Sequence, residues 1–573
     1  MTTPLIVIAI YLALLLSLGL LSNRFFRGTS KDYFVASHSI GPVLLLMSVF
    51  GTTMTAFALV GSTGKSFERG IGVYGLMASS SALIHAACFF MIGIRLWVFG
   101  KKYGYVTQIQ YFRDRFESNG IGYLLFPILI LLVIPYLLIG IIGAGKTIVP
   151  VTAGAFPELF PQTGGAVPEW LSGLIVCVIV LMYVFAGGSR AAAWANTFQT
   201  IVFMIMGVVA FVFISNSLGG LRNAAQIVLQ TTDDGKLVQP YRLDPETKTL
   251  VPNEPPKVIG EIRTGGHESA EGSSAQLPHQ PHVTRTLATA TFKKFDRKKK
   301  KPVVDSSGNP VLWHREYGIP PLMFLTYMFI PLSVGMFPHL FQHWLTAKSA
   351  KSFRLTLIAH PLCIMVVWVP CVLIGSWASG LLPSGIPPAA VLSVMLRQLV
   401  GNEILIGLLT AGILAAIMSS LDSQFHCMGT IFTNDIVLHI AGKDRFNDRQ
   451  IVWLARVFTI AIVVLTYVLA MKAIDKNVFD LAIWCFTGFG SLTPIVIAAL
   501  YWKRATKAGA YASVIATMGT WFYFFRASGY GGEYVLAGGV MPAAVCFAAG
   551  AMAMIFISLI TPPPTTVKKF FPV

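Results

Sequence analysis

Two long apolar runs in this chain are interrupted in the middle, and the interruptions sit at matching places in its two halves. The first is Gly51-Thr52-Thr53-Met54 within the run 41–61, and the second is the stretch from Pro331 to Pro338 (PLSVGMFP) within 318–343. A break at membrane depth frees backbone groups that lipid cannot satisfy, so it is tolerated only where it lines a cavity or an ion site. Paired breaks of this kind point to a binding site at the middle of the bilayer, between two repeated halves.

Composition agrees that lipid is the solvent. Of the 573 residues, 55% are hydrophobic and 12% charged, about half the charged share of a soluble domain. A spanning helix needs about 20 mostly apolar residues. Thirteen stretches qualify: 4–22, 41–61, 72–99, 120–148, 169–187, 193–215, 318–343, 354–378, 400–438, 450–472, 478–502, 507–525 and 538–560. The net charge of +18 does not point to nucleic acid, because it follows the loops. Arg24, Arg27 and Lys31 come after the first span, Lys101, Lys102, Arg113 and Arg115 after the third, and Lys348, Lys351 and Arg354 after the seventh. The intervening short loops hold few basic residues. Lys/Arg-rich loops are cytoplasmic, so the N-terminus is expected outside the cell membrane and the C-terminus in the cytoplasm, which requires an odd number of spans. Residues 4–22 lack the basic leader and cleavage site of a signal peptide and read as a retained helix. The seven cysteines all fall in apolar runs, as small buried hydrophobes would.

The fold expected is an all-α membrane protein of about 13 transmembrane helices, with two inverted five-helix repeats that each open on a broken helix. Residues 1–40 supply an extra helix and a cytoplasmic loop, 41–215 the first repeat, 318–502 the second, and 503–573 two more helices and a tail. An odd number of spans separates equivalent members, hence the inversion. The polar block 216–317 carries a basic run from Lys293 to Lys301 (KKFDRKKKK) and is expected to be an external, weakly structured loop. Such a run is ordinarily solvated; binding to anionic surface groups is the sharper reading.

Two motifs are set aside. Gly140 to Thr147 (GIIGAGKT) fits the phosphate-loop pattern, but that loop needs a strand before it, and an apolar span stands there instead. Close helix packing explains its glycines better. His339 and His343 stand at i, i+4 without a third ligand and read as a polar helix end near the inner loop. No nucleophile elbow is present. An enzyme is not expected, and no cofactor beyond a coupling ion.

Four stretches resemble the sodium:solute symporter family, which includes sodium–glucose and sodium–proline carriers: Asp32 to Gly41 (DYFVASHSIG), Tyr183 to Gln199 (YVFAGGSRAAAWANTFQ), Gly335 to Arg354 (GMFPHLFQHWLTAKSAKSFR) and Ala411 to Asp435 (AGILAAIMSSLDSQFHCMGTIFTND). The resemblance implies a ten-helix core with extra helices at both ends. By position it also implies a sodium site made of the Gly51, Met54 and Ala416 carbonyls and the Ser419 and Ser420 hydroxyls. Ala416, Ser419 and Ser420 share one helix face, and neutral oxygens suit a hard cation. The plainer reading of a serine pair in a membrane helix is bonding to backbone or a neighbouring helix. Many relatives carry an Asp where Trp194-Ala195-Asn196 has an amide. Asp422, one turn from Ser419, is a candidate substitute on the ion pathway alongside Asn196, or a helix-interior Asp held by a hydroxyl.

The resemblance implies transport of a small solute with sodium by alternating access. Family sugar carriers use a Gln and an acidic residue where this chain has Ala58 and Met77, which disfavours a sugar. An organic anion or amino acid is expected, in a pocket drawn from Thr52, Thr53, Phe57, Tyr327, Phe337 and Trp484. The alternatives are a transporter-like solute receptor and a proton-coupled carrier using Asp422. The solute, the stoichiometry and the oligomeric state are not legible in the sequence.

Overall fold

Both interrupted runs fold as bent helix pairs. In the computed structural model, Pro42–Thr53 meets Phe57–Arg69 at 53°, and Pro321–Gly335 meets Pro338–Thr346 at 51°. The residues described are 3–22, 24, 28–232, 234, 236–244, 250–264, 288–293, 295–296, 301–302, 309–564 and 567–571. In the first pair the helix runs on through Gly51, Thr52 and Thr53 and gives way at Met54 (φ −90°, ψ 87°), later than the sequence suggests. The cause is Thr55. Its hydroxyl accepts the Phe57 N–H at 3.0 Å and its carbonyl accepts the Ala58 N–H at 2.9 Å, so it starts a new helix as a capping threonine does. In the second pair Pro338 takes the first helical position, where a missing N–H costs nothing.

Among the described residues nine further helices are long and apolar enough to cross a membrane. One of these, Glu169–Ser217, covers the two expected spans 169–187 and 193–215 without a loop, bent at Gly188 (φ +56°). A Cβ at Gly188 would lie 2.5 Å from the Tyr33 carbonyl, so only glycine fits this bend. Glu403–Ile431 starts at Asn402, whose side chain accepts the Ile404 and Leu405 N–H groups. It is buried along most of its length and packs on Glu169–Ser217 and on Asn119–Thr152. The phosphate-loop look-alike lies inside the continuous helix Asn119–Thr152. A Cβ at Gly143 would come within 2.8 Å of the Ala56 Cβ, and one at Gly140 within 2.7 Å of Leu421, so these glycines let that helix press on both the break and Glu403–Ile431.

The block 216–317 departs from the expected loop, and with it from an all-α fold. Its described residues form strands β1 (Gln230–Thr231), β2 (Lys236–Leu243), β3 (Leu250–Thr264), β4 (Ala288–Lys293), β5 (Phe295–Asp296), β6 (Lys301–Pro302) and β7 (Leu312–Tyr317). Five of them make an antiparallel sheet in the order β1-β2-β3-β4-β7, with Leu243 opposite Leu250 and Ala288 opposite Tyr317. Leu229, Leu237, Phe292 and Tyr317 bury a small apolar core of their own, which the polar composition of the block masks. The sheet is docked on the helices. Gln239 donates to the Leu382 carbonyl (3.0 Å), Arg315 to that of Ser384 (2.8 Å), and the Gly318 N–H to that of Arg69 (3.0 Å). Most of the basic run from Lys293 to Lys301 lies outside the described residues.

Candidate functional site

The four stretches singled out in the sequence meet in space. Arg190 pairs with Asp32 at 2.6 Å. The Ser189 hydroxyl donates to the Phe34 carbonyl and lies 2.9 Å from His426 Nε2. Gln342 donates to the same Phe34 carbonyl at 2.8 Å and to Thr430 at 2.9 Å. Each stretch thus supplies a partner to at least one of the others, around the start of the first broken helix.

At the break, Ser419 Oγ lies 2.8 Å from the Gly51 carbonyl and 3.0 Å from the Ala416 carbonyl. These three groups of the expected cation site come together, all buried. Ser420 Oγ turns to the Ile417 carbonyl of its own helix (3.0 Å). Met54 donates its N–H to Phe50 and begins the kink. Gly51 is needed for the approach of a third helix, since a Cβ there would lie 2.3 Å from Thr200 Oγ1.

Beside these oxygens lies a buried polar network. The amide orientation of Asn196 that satisfies all its neighbours turns the NH2 to Asp422 Oδ2 (2.8 Å) and the Ser419 carbonyl (3.0 Å). Its oxygen then faces the Thr52 (3.2 Å) and Ser423 (2.9 Å) hydroxyls. Tyr183 donates to Asp422 at 3.0 Å, and Ser423 to its other oxygen at 2.9 Å. His343 Nε2 lies 2.9 Å from Ser423 Oγ and 3.2 Å from Thr52 Oγ1. His343 is therefore no polar helix end at an inner loop; it is buried against the first broken helix, and His339 stacks on Phe337 with a centroid distance of 5.0 Å. Among the described residues no group of three or more His, Cys, Asp or Glu is placed to hold a metal. Among the described residues the other two wholly buried aspartates, Asp32 and Asp435, hold Arg190 and Arg113. Asp422 holds only hydroxyls and an amide.

Of the six pocket candidates, Thr53, Phe57, Tyr327 and Phe337 line one narrow cavity between the two breaks. Thr52 belongs to the network just described. Trp484 lines an adjoining cavity with Tyr327 and donates to the Gly532 carbonyl at 2.8 Å. His343, Ser423 and Tyr183 escaped the sequence reading. The i, i+4 spacing of Ser419 and Ser423 was the available signal for one of them.

Nine apolar spans and two bent pairs among the described residues, around a buried polar centre, define a multi-pass membrane protein. The sodium:solute symporter family model matches residues 33–253 and 297–517. The chain belongs to that family, and is a transporter rather than an enzyme. It is 22% identical over 529 residues to a sodium/proline symporter of Staphylococcus aureus (strain bovine RF122 / ET3-1), covering 89% of this chain and 83% of the relative. With the sodium/proline symporter of strain JH9 it shares 21% over 528 residues, at the same coverage. Its fold matches that of a Na+-coupled sialic acid symporter solved in a substrate-bound outward-open state, with a TM-score of 0.68 at 16% identity over 99% of both chains.

Proposed function

We propose that this protein imports a small solute together with sodium by alternating access. Sodium is held by the Gly51, Met54 and Ala416 carbonyls and the Ser419 and Ser420 hydroxyls. The observation that carries this reading is the 2.8 Å contact of Ser419 Oγ with the Gly51 carbonyl, across the break. Such a pair is a half-built oxygen shell for a hard cation. Asn196 and Asp422 then form the ion's inward path, the carboxylate standing one turn along from Ser419. Coupling arises because sodium binds one arrangement of the break better than the other, which biases the solute site by the same factor.

The architecture that fits is thirteen spans. Counting the Gly188 bend as a division and Lys507–Ala527 as a span brings the eleven spans and bent pairs to that number. The spans group as two inverted repeats, 41–215 and 318–502, with the sheet-bearing block 216–317 and the N-terminus outside and the C-terminus inside. No cofactor other than the ion is required.

The test is uptake into proteoliposomes under a sodium gradient, and melting in sodium against potassium. Ser419→Ala with Ser420→Ala should abolish sodium-driven uptake and the sodium-induced rise in Tm, which reports a stabilisation of about 2.7 kcal/mol when sodium is at 100 times its Kd. A double variant that keeps both rules the site out. A proton-coupled second reading is favoured by one observation: Asp422 is buried without an arginine, unlike Asp32 and Asp435. Uptake driven by a proton gradient in the absence of sodium, and lost in Asp422→Asn, would select it.

A further inference from the structure

The loop that follows the second broken helix closes against the start of the first. Ile40, just before Pro42–Thr53, donates its N–H to the Thr346 carbonyl (3.0 Å), and the Lys348 N–H donates back to the Ile40 carbonyl (2.9 Å). The span Gly75–Tyr103 braces this junction. Trp97 Nε1 donates to the Ala347 carbonyl at 2.9 Å, and Lys101 Nζ to that of Lys348 at 3.3 Å. His38 Nδ1 is bonded to the Leu345 carbonyl. The two broken helices are thus tied together at one loop.

The junction collects positive charge. Lys31, Lys101, Lys348, Lys351 and Arg354 are all exposed, and among the described residues none of them pairs with a carboxylate. Their own segments offer no acid to offset them: no Asp or Glu occurs between Asp32 and Glu68, between Glu68 and Asp114, or between Glu316 and Glu403. Asp32 is buried against Arg190, and Asp448 accepts the Ser30 N–H at 3.0 Å. Burial lowers the pKa of the His38 imidazole, and Lys31 and Lys101 lower it further, so bases from two separate segments converge on one point. The patch also lies where lipid headgroups lie. Lys101 stands at the end of one apolar span, Gly75–Tyr103, and Lys351 and Arg354 at the start of another, Ala350–Ala378. Beside them Val98 on the first span and Leu355 and Ile358 on the second are exposed apolar side chains. A cluster of four to eight basic residues at the end of a span attracts anionic headgroups. Lys and Arg stems lie along apolar surface while their charges reach the interface.

We propose that this junction is a docking site for an anionic phospholipid. The phosphate is received by Lys31, Lys348, Lys351 and Arg354, and the chains lie along Val98, Leu355 and Ile358. In the topology proposed above this is a lipid of the cytoplasmic leaflet. The headgroup bridges bases that precede the first broken helix and bases that follow the second, so it favours the arrangement in which the two are tied. The site is separate from the cation site and does not depend on which ion or solute is carried.

The experiment melts the full chain in nanodiscs of phosphatidylcholine alone, of phosphatidylcholine with phosphatidylglycerol, and of phosphatidylcholine with inorganic phosphate in the buffer. Phosphatidylglycerol should raise Tm and inorganic phosphate should not. Lys348→Gln and Lys351→Gln should each raise the phosphatidylglycerol fraction needed for half the shift about fivefold. Lys31→Gln, Lys348→Gln and Lys351→Gln together should abolish the shift, while Arg at the same three positions keeps it. Lys443→Gln with Arg449→Gln, which removes exposed bases from another loop, should also keep it. If the triple variant does not fold, the two single variants decide. No shift with phosphatidylglycerol in the unaltered chain overturns the proposal. So does a shift that the Gln variants at the junction keep, or that the change at 443 and 449 removes equally, since either means diffuse attraction of charge. A shift reproduced by inorganic phosphate makes the ligand a free anion and overturns the lipid.

Discussion

The two ends of one half-helix, Phe57–Arg69, solve the problem of polar groups among apolar ones in opposite ways. Its inner end, at the break, is surrounded by neutral oxygens and a single carboxylate without a cation. Its outer end is saturated with ion pairs. Lys65, 2% exposed, lies 2.8 Å from Glu533 and 3.4 Å from Asp480, and Arg69 lies 2.7 Å from Glu533 and 3.0 Å from Glu316. Fixed charges that satisfy one another hold a segment in place. Neutral oxygens leave a deficit that a mobile cation can fill. The ion pairs lie on Phe57–Arg69, and the neutral oxygens lie just across the break on Pro42–Thr53 and on Glu403–Ile431.

The comparison can be broken most forcefully at the ion pairs. Lys65→Met leaves Asp480 without its cation and Glu533 with Arg69 alone, and removing one partner of a buried pair costs about 3–5 kcal/mol. Because Glu533 is a third exposed, the lower end is expected. Chemical denaturation should show the same loss in sodium and in potassium. A loss confined to sodium would mean that the ion pairs and the neutral oxygens act as one unit. A smaller effect is expected at the break. Gly51→Ala drives a methyl to within 2.3 Å of Thr200 Oγ1, and overpacking of this kind costs about 1–3 kcal/mol. Adding Thr200→Ala should restore stability and the sodium response together. Failure of that rescue would place the role of Gly51 elsewhere than in close packing.

The smallest effect is that of acid. Burial by itself would raise the Glu533 carboxyl, but Lys65 and Arg69 beside it hold it below the ordinary glutamate value, at about 2. A depressed carboxylate contributes stability that is fully present above the unfolded-state value of about 4.3 and is lost as pH falls through the folded one. Acid melting of the unaltered chain should therefore show a loss below about pH 4.3 that Glu533→Gln lacks.

Much of this was legible in the sequence, for physical reasons. Pro331 and Pro338, with Gly335 between them, each disfavour a continuous helix, and basic loops mark every second turn of the chain. Ser419 was singled out through the family resemblance, and the spacing of Ala416, Ser419 and Ser420 agrees with one helix face. The exact break was not, because a helix propagates until something stops it, and what stops it is the Thr55 hydroxyl capturing an amide two residues on. His343 looked like a polar helix end because its partners, Thr52 and Ser423, are 291 and 80 positions away. The ion pairs were hidden for the same reason, since Lys65 and Glu533 are 468 positions apart. The sheet was missed because four buried residues, Leu229, Leu237, Phe292 and Tyr317, are too few to show through a polar block.

The attachment of that sheet carries a practical consequence. Glu316 on β7 grips Arg69, and the next residue but one gives its N–H to the Arg69 carbonyl. Arg69 is the far tip of a rod whose pivot is Met54 to Ala56. In the alternating access proposed above, a movement of this segment would be carried to the sheet through Arg69. Spin or fluorophore labels on the sheet can therefore report that movement in real time while leaving the binding chemistry untouched.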